Sequence, residues 1–225
     1  MKETVGERDA RIKRILKKLD SEYGTEEVCY LHHEKDWQLL FAVIMSAQCT
    51  DARVNLVTKE LWKKYRKLED VAKADLEEFE QDIRSTGFYH NKARNIIACA
   101  GKLIRDFGGK VPSDMESLVS LPGVGRKTAN VVRGHLFNKA GIAVDTHVNR
   151  ISNKLGLAHS GDPVKVEFEL MKILPEDHWI LWNTDIIRLG RTICIARREK
   201  CGECFLKDDC PSARKTCLKQ ESGIK

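Results

Sequence analysis

The hydrophobic residues of this chain recur at the three- and four-residue spacing of amphipathic α-helices. The longest series, which ends at Gly108-Gly109, consists of Ala93, Ile96, Ile97, Ala100, Leu103, Ile104 and Phe107. A shorter series, which ends at Gly24, consists of Ile12, Ile15, Leu16 and Leu19. Glycine commonly ends a helix because it adopts positive φ without strain. Each series therefore predicts a helix that buries one face.

Residues 37–45 are apolar at almost every position, which predicts a helix buried on all sides. Asp36 comes directly before this segment and is expected to cap its N-terminus. No segment alternates polar and apolar residues over the length of a β-strand. The expected fold class is therefore all-α.

Polar residues predict the N-termini of two further helices. Ser113 and Glu116 have the spacing of a capping box for a short helix over 114–120. Asp162 followed by Pro163 predicts an N-cap and a proline at the first helical position. Both patterns add helices to the second half of the chain.

The amino-acid composition excludes several classes of protein. The 225 residues are 42% hydrophobic and 32% charged, which excludes wholesale disorder. The longest apolar run, residues 39–45, is far too short to span a membrane. The N-terminus contains acids and no apolar stretch, so we expect neither a signal peptide nor a transit peptide. We therefore expect a prokaryotic, cytoplasmic protein. Thiols stay reduced there, so the eight cysteines need an explanation other than disulfides.

The positive charge is concentrated in two blocks. The formal net charge is +6, and residues 122–155 carry six basic residues against one acid. Residues 186–225 carry ten basic residues against five acids. These blocks suit a polyanion such as nucleic acid, although from charge alone a solvated basic surface explains them equally well.

The first block contains a glycine hairpin. The sequence LPGVGRK, residues 121–127, lies between the short helix and a predicted helix over 126–137. Gly123 and Gly125 allow positive φ and close backbone approach, and their amides and Arg126 lie at a helix N-terminus, where a phosphate binds well. A helix, a P-G-x-G hairpin and a second helix form a helix-hairpin-helix motif, which grips a DNA backbone without reading sequence. A plain tight turn is the alternative.

Two residues of this block could carry chemistry. Lys127 lies at a helix N-terminus beside other cations, surroundings that favour the neutral, nucleophilic amine over the ammonium form. Asp145 is the only acid of the block and is expected to cap the next helix. A carboxylate held there could stabilise positive charge at a reacting carbon or accept a proton. A phosphate-contacting Lys127 and an Asp145 that serves only as a cap are the alternatives.

Four cysteines lie within seventeen residues near the C-terminus, with the spacing C-x6-C-x2-C-x5-C: Cys194, Cys201, Cys204 and Cys210. Four thiolates this close suit either zinc or a [4Fe–4S] cluster. The loop between the first two cysteines presents three cations that could contact phosphates: Arg197, Arg198 and Lys200. The other cysteines have no metal-binding spacing; Cys29, Cys49 and Cys99 are expected in the core and Cys217 in a frayed tail.

Together these motifs resemble a known family. LPGVGRKTA at 121–129, AVDTH at 143–147 and the cysteine spacing are similar to endonuclease III, in the helix-hairpin-helix superfamily of DNA base-excision glycosylases. SAQCTD at 46–51 and TGFYHNKA at 86–93 also resemble that family. The motifs reach from about residue 46 to residue 210, so the resemblance covers nearly the whole chain.

The resemblance implies an architecture and a set of ligands. It implies a six-helix domain over 29–139 with the hairpin, and an iron–sulfur domain formed by 1–28 and 140–225. Double-stranded DNA with damaged bases or abasic sites would bind in a cleft between the domains of a monomer. The four clustered cysteines would hold a [4Fe–4S] cluster of structural function.

The resemblance also implies an activity. The family excises oxidised pyrimidines and then cleaves the abasic site by β-elimination, with Lys127 at the position of its catalytic lysine and Asp145 at that of its aspartate. Gln48 matches the residue that fills the gap left by the extruded base, and Phe88 lies where the family often has a leucine wedge. Arg150 is expected to line the lesion pocket. The alternatives are purely structural roles, in which Gln48 caps a helix end and Phe88 belongs to the core.

Two other functions compete with this one. Adenine-mismatch glycosylases share the cluster and the aspartate, but they lack a lysine at position 127 and carry a further C-terminal domain. A non-enzymatic DNA-binding module would use the hairpin and the metal site only as structure. Under that hypothesis, Lys127 and Asp145 match the family's catalytic residues only by coincidence.

Overall fold

The computed structural model of the chain describes residues 3–26, 29–139 and 141–213. These residues form eleven α-helices and no β-strand, which confirms the predicted all-α class. The helices are α1 Val5–Tyr23, α2 Asp36–Ser46, α3 Asp51–Lys64, α4 Leu68–Ala72, α5 Leu76–Ile83, α6 Tyr89–Phe107, α7 Met115–Val119, α8 Arg126–Phe137, α9 Thr146–Lys154, α10 Pro163–Met171 and α11 Trp179–Thr192. Short 3-10 helices cover Arg84–Thr86, Glu176–His178, Cys201–Glu203 and Lys207–Asp209. Within the described part of the chain, no helix is long and apolar enough to cross a membrane.

The chain divides into two compact units. One unit, Val28–Lys139, contains α2 to α8 and is called the hairpin unit below. The other, called the cluster unit, combines Met1–Glu27 with Ala140–Lys225 and contains α1 and α9 to α11. Each unit has a hydrophobic core of its own.

The core of the hairpin unit is built around α2. Every residue from Trp37 to Met45 is buried, as the run of apolar residues predicts. The predicted face of α6 packs against it, with Ala93, Ile96, Ala100 and Leu103 fully buried. Cys99 is buried as expected, whereas Cys29 and Cys49 are only half-buried, and Cys217 lies outside the described residues.

The described part of the hairpin unit has seven α-helices rather than the six expected. The five-residue α4 is enough to account for this difference of one helix. Leu68 and Val71 are buried in the core, and the Asp70 carboxylate accepts a hydrogen bond from the Lys67 amide at 2.9 Å. A buried pair and a local cap are enough to hold one helical turn.

Two predicted caps are wrong by one residue. Helix α2 begins at Asp36 itself, and Lys35 occupies the N-cap position. The amides of Glu34 and Lys35 donate to Gln38 Oε1 at 2.8 and 3.0 Å, so a side chain inside the helix satisfies the backbone before it. Asp36 therefore lies in the first turn, where its negative charge interacts favourably with the helix dipole.

The cap of α7 is Asp114, not Ser113. The Asp114 carboxylate accepts from the Ser117 amide at 2.8 Å, and the Ser113 hydroxyl instead accepts from Lys139 Nζ at 2.8 Å. The other predicted helix ends are confirmed. Gly24 and Gly108 end α1 and α6 at φ values of 83° and 59°, and Asp162 caps α10 through the amides of Val164 and Lys165.

In the cluster unit, α1 joins the last helices of the chain. Its Ile12, Ile15, Leu16 and Leu19 are buried in one core with apolar residues of α9, α10 and α11. The buried guanidinium of Arg11 donates to the backbone carbonyls of Leu155 and Asp209 at 2.7 and 3.2 Å. The Asp209 carboxylate accepts from Arg14 and Lys18, each at 2.9 Å. These contacts fix the last turn before Cys210 to the N-terminal helix.

Candidate DNA-binding and iron–sulfur sites

The hairpin between α7 and α8 is a tightly packed turn. Leu121 and Val124 are buried, and the Val124 amide donates to the Leu121 carbonyl at 3.1 Å. Gly123 has φ +77°, and a Cβ placed on it would lie 2.9 Å from Asn95 Cβ on α6. Only glycine meets both conditions without strain. The structure therefore explains the first glycine of the motif by conformation and by close approach.

The second glycine has a different reason. Gly125 is the N-cap of α8 at φ −89°, and a Cβ placed on it would have no neighbour within 4 Å. Within the described chain, no hydrogen bond is recorded from the amide of Gly123 or Gly125. Gly125 caps the N-terminus of α8 and Gly123 lies two residues before it, and a helix N-terminus carries partial positive charge. The hairpin can therefore bind an anion such as a phosphate through its backbone.

Lys127 is the second residue of α8 and is exposed. The opposite face of α8 is anchored in the core by Ala129 and Val132, both fully buried. Arg126, the first residue of the helix, is half-buried. The helix is rigidly seated, and it presents the Lys127 amine to solvent directly behind the hairpin.

Asp145 caps α9, as the sequence predicts. Its Oδ1 accepts from the Val148 amide at 2.8 Å, and its carboxylate is half-exposed. The segment before it, residues 142–144, is buried. The position of the carboxylate is therefore set from both sides of the chain, by the buried segment and by the first turn of α9. Asp145 belongs to the cluster unit and Lys127 to the hairpin unit.

A glycine that the sequence does not reveal controls the start of α9. A Cβ placed on Gly190 of α11 would overlap the His147 ring and lie 3.1 Å from Ile151 Cδ1. His147 is thus a packed residue in the first turn after Asp145. Gly190 lies inside a helix, where glycine has no conformational advantage. Its use there is a signal of close helix approach, but the partner is 43 positions away in the sequence.

The four clustered cysteines face one pocket. None of them is in a disulfide, and the apolar lining includes Ile151, Leu155, Leu189 and Leu206. Burial raises the pKa of the Cys204 thiol, and the thiols of Cys194, Cys210 and Cys201 raise it further, because they are near neighbours. In the described residues no group of three or more His, Cys, Asp or Glu closes around a single metal ion. Soft sulfur ligands around one apolar pocket fit an iron–sulfur cluster.

Helix α9 supports this pocket. Arg150 donates from Nη1 to Cys194 Sγ at 3.6 Å and from Nη2 to the Cys194 carbonyl at 2.7 Å. Cys210 Sγ donates to the Lys154 carbonyl at 3.6 Å. The side chain of Arg150 is therefore held against Cys194. Its predicted place in a lesion pocket stays a prediction.

The loop from Cys194 to Cys201 turns its cations outward. Its acid, Glu199, accepts from Lys154 Nζ at 2.7 Å, which lowers the pKa of Glu199. The Lys200 amide donates to the Ile193 carbonyl at 3.0 Å and closes the base of the loop. The remaining three cations, called the loop cations below, are exposed and have no recorded ion pair in the described chain: Arg197, Arg198 and Lys200.

Gln48 and Phe88 share an unusual backbone conformation. Both have positive φ, 55° and 50°, which is costly for residues other than glycine. Gln48 is exposed, and the N-cap of the following helix is Thr50. Phe88 is 66% exposed, so it is not a core residue. A large apolar side chain held outward on a strained turn is suited to enter another molecule.

Comparison with known proteins identifies the family of the chain. Residues 41–176 match the HhH-GPD superfamily base excision DNA repair protein, and residues 194–210 match the iron–sulfur binding domain of endonuclease III. Endonuclease III of Synechocystis is 47% identical over 209 residues, which cover 92% of this chain and 94% of the relative. The chain belongs to the endonuclease III family.

Solved structures agree with this assignment. A non-covalent endonuclease III–DNA complex matches with a TM-score of 0.86 and 44% identity over 94% of this chain and 99% of the other. A trapped endonuclease III–DNA covalent intermediate matches with the same TM-score and identity over 93% and 98%. As a member of the endonuclease III family, this chain is a base-excision DNA glycosylase with AP lyase activity that carries a [4Fe–4S] cluster.

Proposed function

We propose that this enzyme removes oxidised pyrimidines from double-stranded DNA and then cleaves the abasic site through a Schiff base on Lys127. The observation that carries the proposal is the exposed Lys127 amine, two residues after a hairpin whose glycine amides donate no backbone hydrogen bond within the described residues. Hairpin amides that bind a DNA phosphate hold a sugar of the same strand near that amine. The similarity to a trapped endonuclease III–DNA covalent intermediate supports a covalent mechanism.

The chemistry follows from these two groups. The Lys127 amine attacks C1′ of the damaged nucleotide, and the bond from C1′ to the base breaks, so that the base leaves with the bonding electrons and a proton. The Asp145 carboxylate stabilises the positive charge that develops on the sugar. Ring opening produces a Schiff base between Lys127 and C1′. Loss of a C2′ proton then breaks the bond from C3′ to its phosphate oxygen, which is β-elimination.

The damaged nucleotide must leave the base stack before its C1′ can be attacked. We assign the space that it leaves to Gln48, and the role of an apolar wedge to Phe88, because both are exposed on strained turns. Backbone contacts come from Gly123, Gly125 and Arg126. These groups position the duplex and do not read its sequence. A DNA cleft between the two units stays a prediction.

The cluster is assigned to Cys194, Cys201, Cys204 and Cys210. When bound, it cross-links the last segments of the chain through four thiolates. The protein itself anchors the loop by the Lys154–Glu199 pair, so that the loop cations face phosphates. Iron analysis is expected to find about four irons per chain. Substitution of any one of these cysteines by serine is expected to lower that content; full iron occupancy in such a variant contradicts the assignment.

Borohydride trapping tests the mechanism. The intact protein is expected to form a covalent adduct with duplex DNA containing thymine glycol, because borohydride reduces the Schiff base. Lys127→Ala is expected to abolish the adduct, and Lys139→Ala, a lysine of the same basic block that is bound to Ser113, is the matched control. No adduct with the intact protein, or a persistent adduct in Lys127→Ala, refutes the role of Lys127.

Asp145→Asn separates the two steps. It is expected to slow excision of thymine glycol by about a hundredfold or more, because it removes the charge proposed to stabilise the developing cation. Trapping on a preformed abasic site is expected to persist, because no base has to leave. Equal losses on both substrates contradict the proposed role of Asp145.

We also propose that the enzyme acts as a monomer on the nucleoid in the bacterial cytoplasm. The similar proteins above include a bacterial relative, and bacterial chromosomal DNA lies in the cytoplasm. Light scattering of the iron-loaded protein is expected to give the mass of one chain, 25.6 kDa. A stable dimer mass contradicts this part of the proposal.

A further inference from the structure

A buried lysine lies between the two strained turns. Lys92 of α6 is only 5% exposed. Its Nζ donates to the carbonyl of Met45 at 2.8 Å and to the carbonyl of Thr86 at 2.9 Å. Buried lysines are rare because an ammonium group loses its hydration, and this burial lowers the pKa of Lys92. A group that is costly to bury and binds two backbone carbonyls has a positional use.

The two carbonyls belong to the segments that carry Gln48 and Phe88. Met45 lies in the last turn of α2, three residues before Gln48. Thr86 ends a 3-10 helix two residues before Phe88. The carbonyl end of a helix carries partial negative charge, which a cation stabilises. Lys92 is therefore a direct bridge between the two turns.

Two further contacts place Lys92 at the base of both turns. The Lys92 amide donates to the Phe88 carbonyl at 3.2 Å. The Cys49 thiol, directly after Gln48, lies close enough to oppose the effect of burial on the pKa of Lys92. Positive φ at Gln48 and Phe88 persists only where the surroundings hold it. The Lys92 ammonium is the one side-chain group recorded as bonded to both segments in the described chain.

We propose that Lys92 is a positioning residue that holds the Gln48 and Phe88 turns in one fixed relation, so that both side chains enter the duplex together. This inference rests on the proposed insertion of Gln48 and Phe88 into DNA. Lys92 itself touches neither substrate nor the reacting carbon. It acts by removing conformational freedom from the inserted groups before DNA binds.

The proposal predicts an effect that depends on the substrate. Extruding a paired, damaged nucleotide requires unstacking, whereas an abasic site has no base to unstack and is extruded more easily. Loss of the bridge is therefore expected to slow single-turnover excision of thymine glycol about tenfold, and strand cleavage at a preformed abasic site less than about threefold. A mutation that only weakened the fold would slow both reactions equally.

The test compares Lys92→Met with two other variants of the iron-loaded full chain. Lys92→Met keeps the length of the side chain and removes its donors, and Lys92→Arg keeps donors and charge. Lys35→Met is the matched control, because Lys35 Nζ also donates to a backbone carbonyl of the hairpin unit, that of Arg66 at 2.7 Å. We expect substrate-dependent loss in Lys92→Met, partial recovery in Lys92→Arg and near wild-type rates in Lys35→Met. Equal loss on both substrates, or the same loss in Lys35→Met, overturns the proposal.

Fluorescence of 2-aminopurine opposite a tetrahydrofuran abasic analogue reports insertion directly. Gln48→Ala and Phe88→Ala are expected to change this signal; if neither does, the proposed insertion is wrong. If they do and Lys92→Met leaves the signal unchanged, the insertion stands and the Lys92 inference alone fails. Should Lys92→Met fail to fold, Lys92→Gln replaces it, because its shorter side chain cannot bridge both carbonyls and is expected to shift the same substrate ratio. An unchanged ratio in that variant overturns the inference.

Discussion

Substitution by alanine is expected to have different effects at the two glycines of the hairpin: it lowers stability at Gly123 and affinity for DNA at Gly125. In Gly123→Ala, the backbone at φ +77° costs about 1–2 kcal/mol for an L-residue. The new Cβ would also lie 2.9 Å from Asn95 Cβ and 3.3 Å from Asn95 Cγ, and overpacking of this kind costs about 1–3 kcal/mol. The free energy of unfolding is therefore expected to fall by about 2–5 kcal/mol.

Gly125→Ala has neither cost. Its φ of −89° suits any residue, and the new Cβ would have no neighbour within 4 Å, so the free energy of unfolding is expected to fall by no more than about 1 kcal/mol, the cost of alanine in place of glycine at an N-cap. The added methyl group instead occupies open space next to the Gly125 amide, one of the two hairpin amides. A phosphate that binds those amides loses close approach, and affinity for DNA is expected to fall about tenfold, which corresponds to about 1.4 kcal/mol.

Two measurements check this pair. Urea unfolding gives the free energy of each variant, and fluorescence anisotropy with a tetrahydrofuran-containing duplex gives its affinity at constant salt. If Gly123→Ala unfolds at the wild-type urea concentration, the packing argument is wrong. If Gly125→Ala binds DNA as tightly as the parent protein, no phosphate approaches this face of the hairpin.

Three further outcomes are expected. Gly190→Ala forces a Cβ into His147 and Ile151, so it is expected to lower the free energy of unfolding by about 1–3 kcal/mol in urea and to slow excision through Asp145; wild-type values for both refute the packing. Burial raises the pKa of Asp185 from 3.8 to about 6, so its ionisation opposes folding as the pH rises from about 4 to about 6. Between pH 4 and pH 7, the free energy of unfolding of Asp185→Asn is therefore expected to rise relative to that of the parent protein by up to about 3 kcal/mol. If urea unfolding gives the same difference in free energy at both pH values, this argument is wrong. Replacing all loop cations by glutamine is expected to reduce the slope of log affinity against log salt by about 0.9 per lost phosphate contact, with iron content unchanged; an unchanged slope excludes them from the interface.

Local patterns in the sequence predict helices well and helix caps less well. Helix α8 spans Arg126–Phe137, as predicted, because its apolar spacing and the glycines before it are local signals. The spacing predicts the cap of α7 at Ser113, whereas the cap is Asp114. Both residue types are good caps, and the choice depends on Lys139, which binds the Ser113 hydroxyl from 26 positions away. A contact at that distance leaves no trace in a local pattern.

The same limit applies to the candidate sites. The cysteine spacing and the hairpin are contiguous motifs, so the sequence shows them directly. The contacts of Lys92 with Met45, of Arg150 with Cys194 and of Gly190 with His147 join segments between 43 and 47 positions apart in the sequence. Only the packing of helices reveals them. Residues that position chemical groups are thus harder to predict than residues that carry the chemistry.

Three of the six acids in the two basic blocks bear on the electrostatic argument for DNA binding. Asp145 caps α9, Glu199 is paired with Lys154, and Asp209 is paired with cations of α1. Each of these acids is used within the protein, whereas the loop cations remain exposed. A formal count cancels every acid against a base of its block, but a phosphate responds to the charges that lie within a Debye length of it at the surface. The electrostatic part of the affinity should therefore follow the exposed cations of each unit, not the net charge of +6.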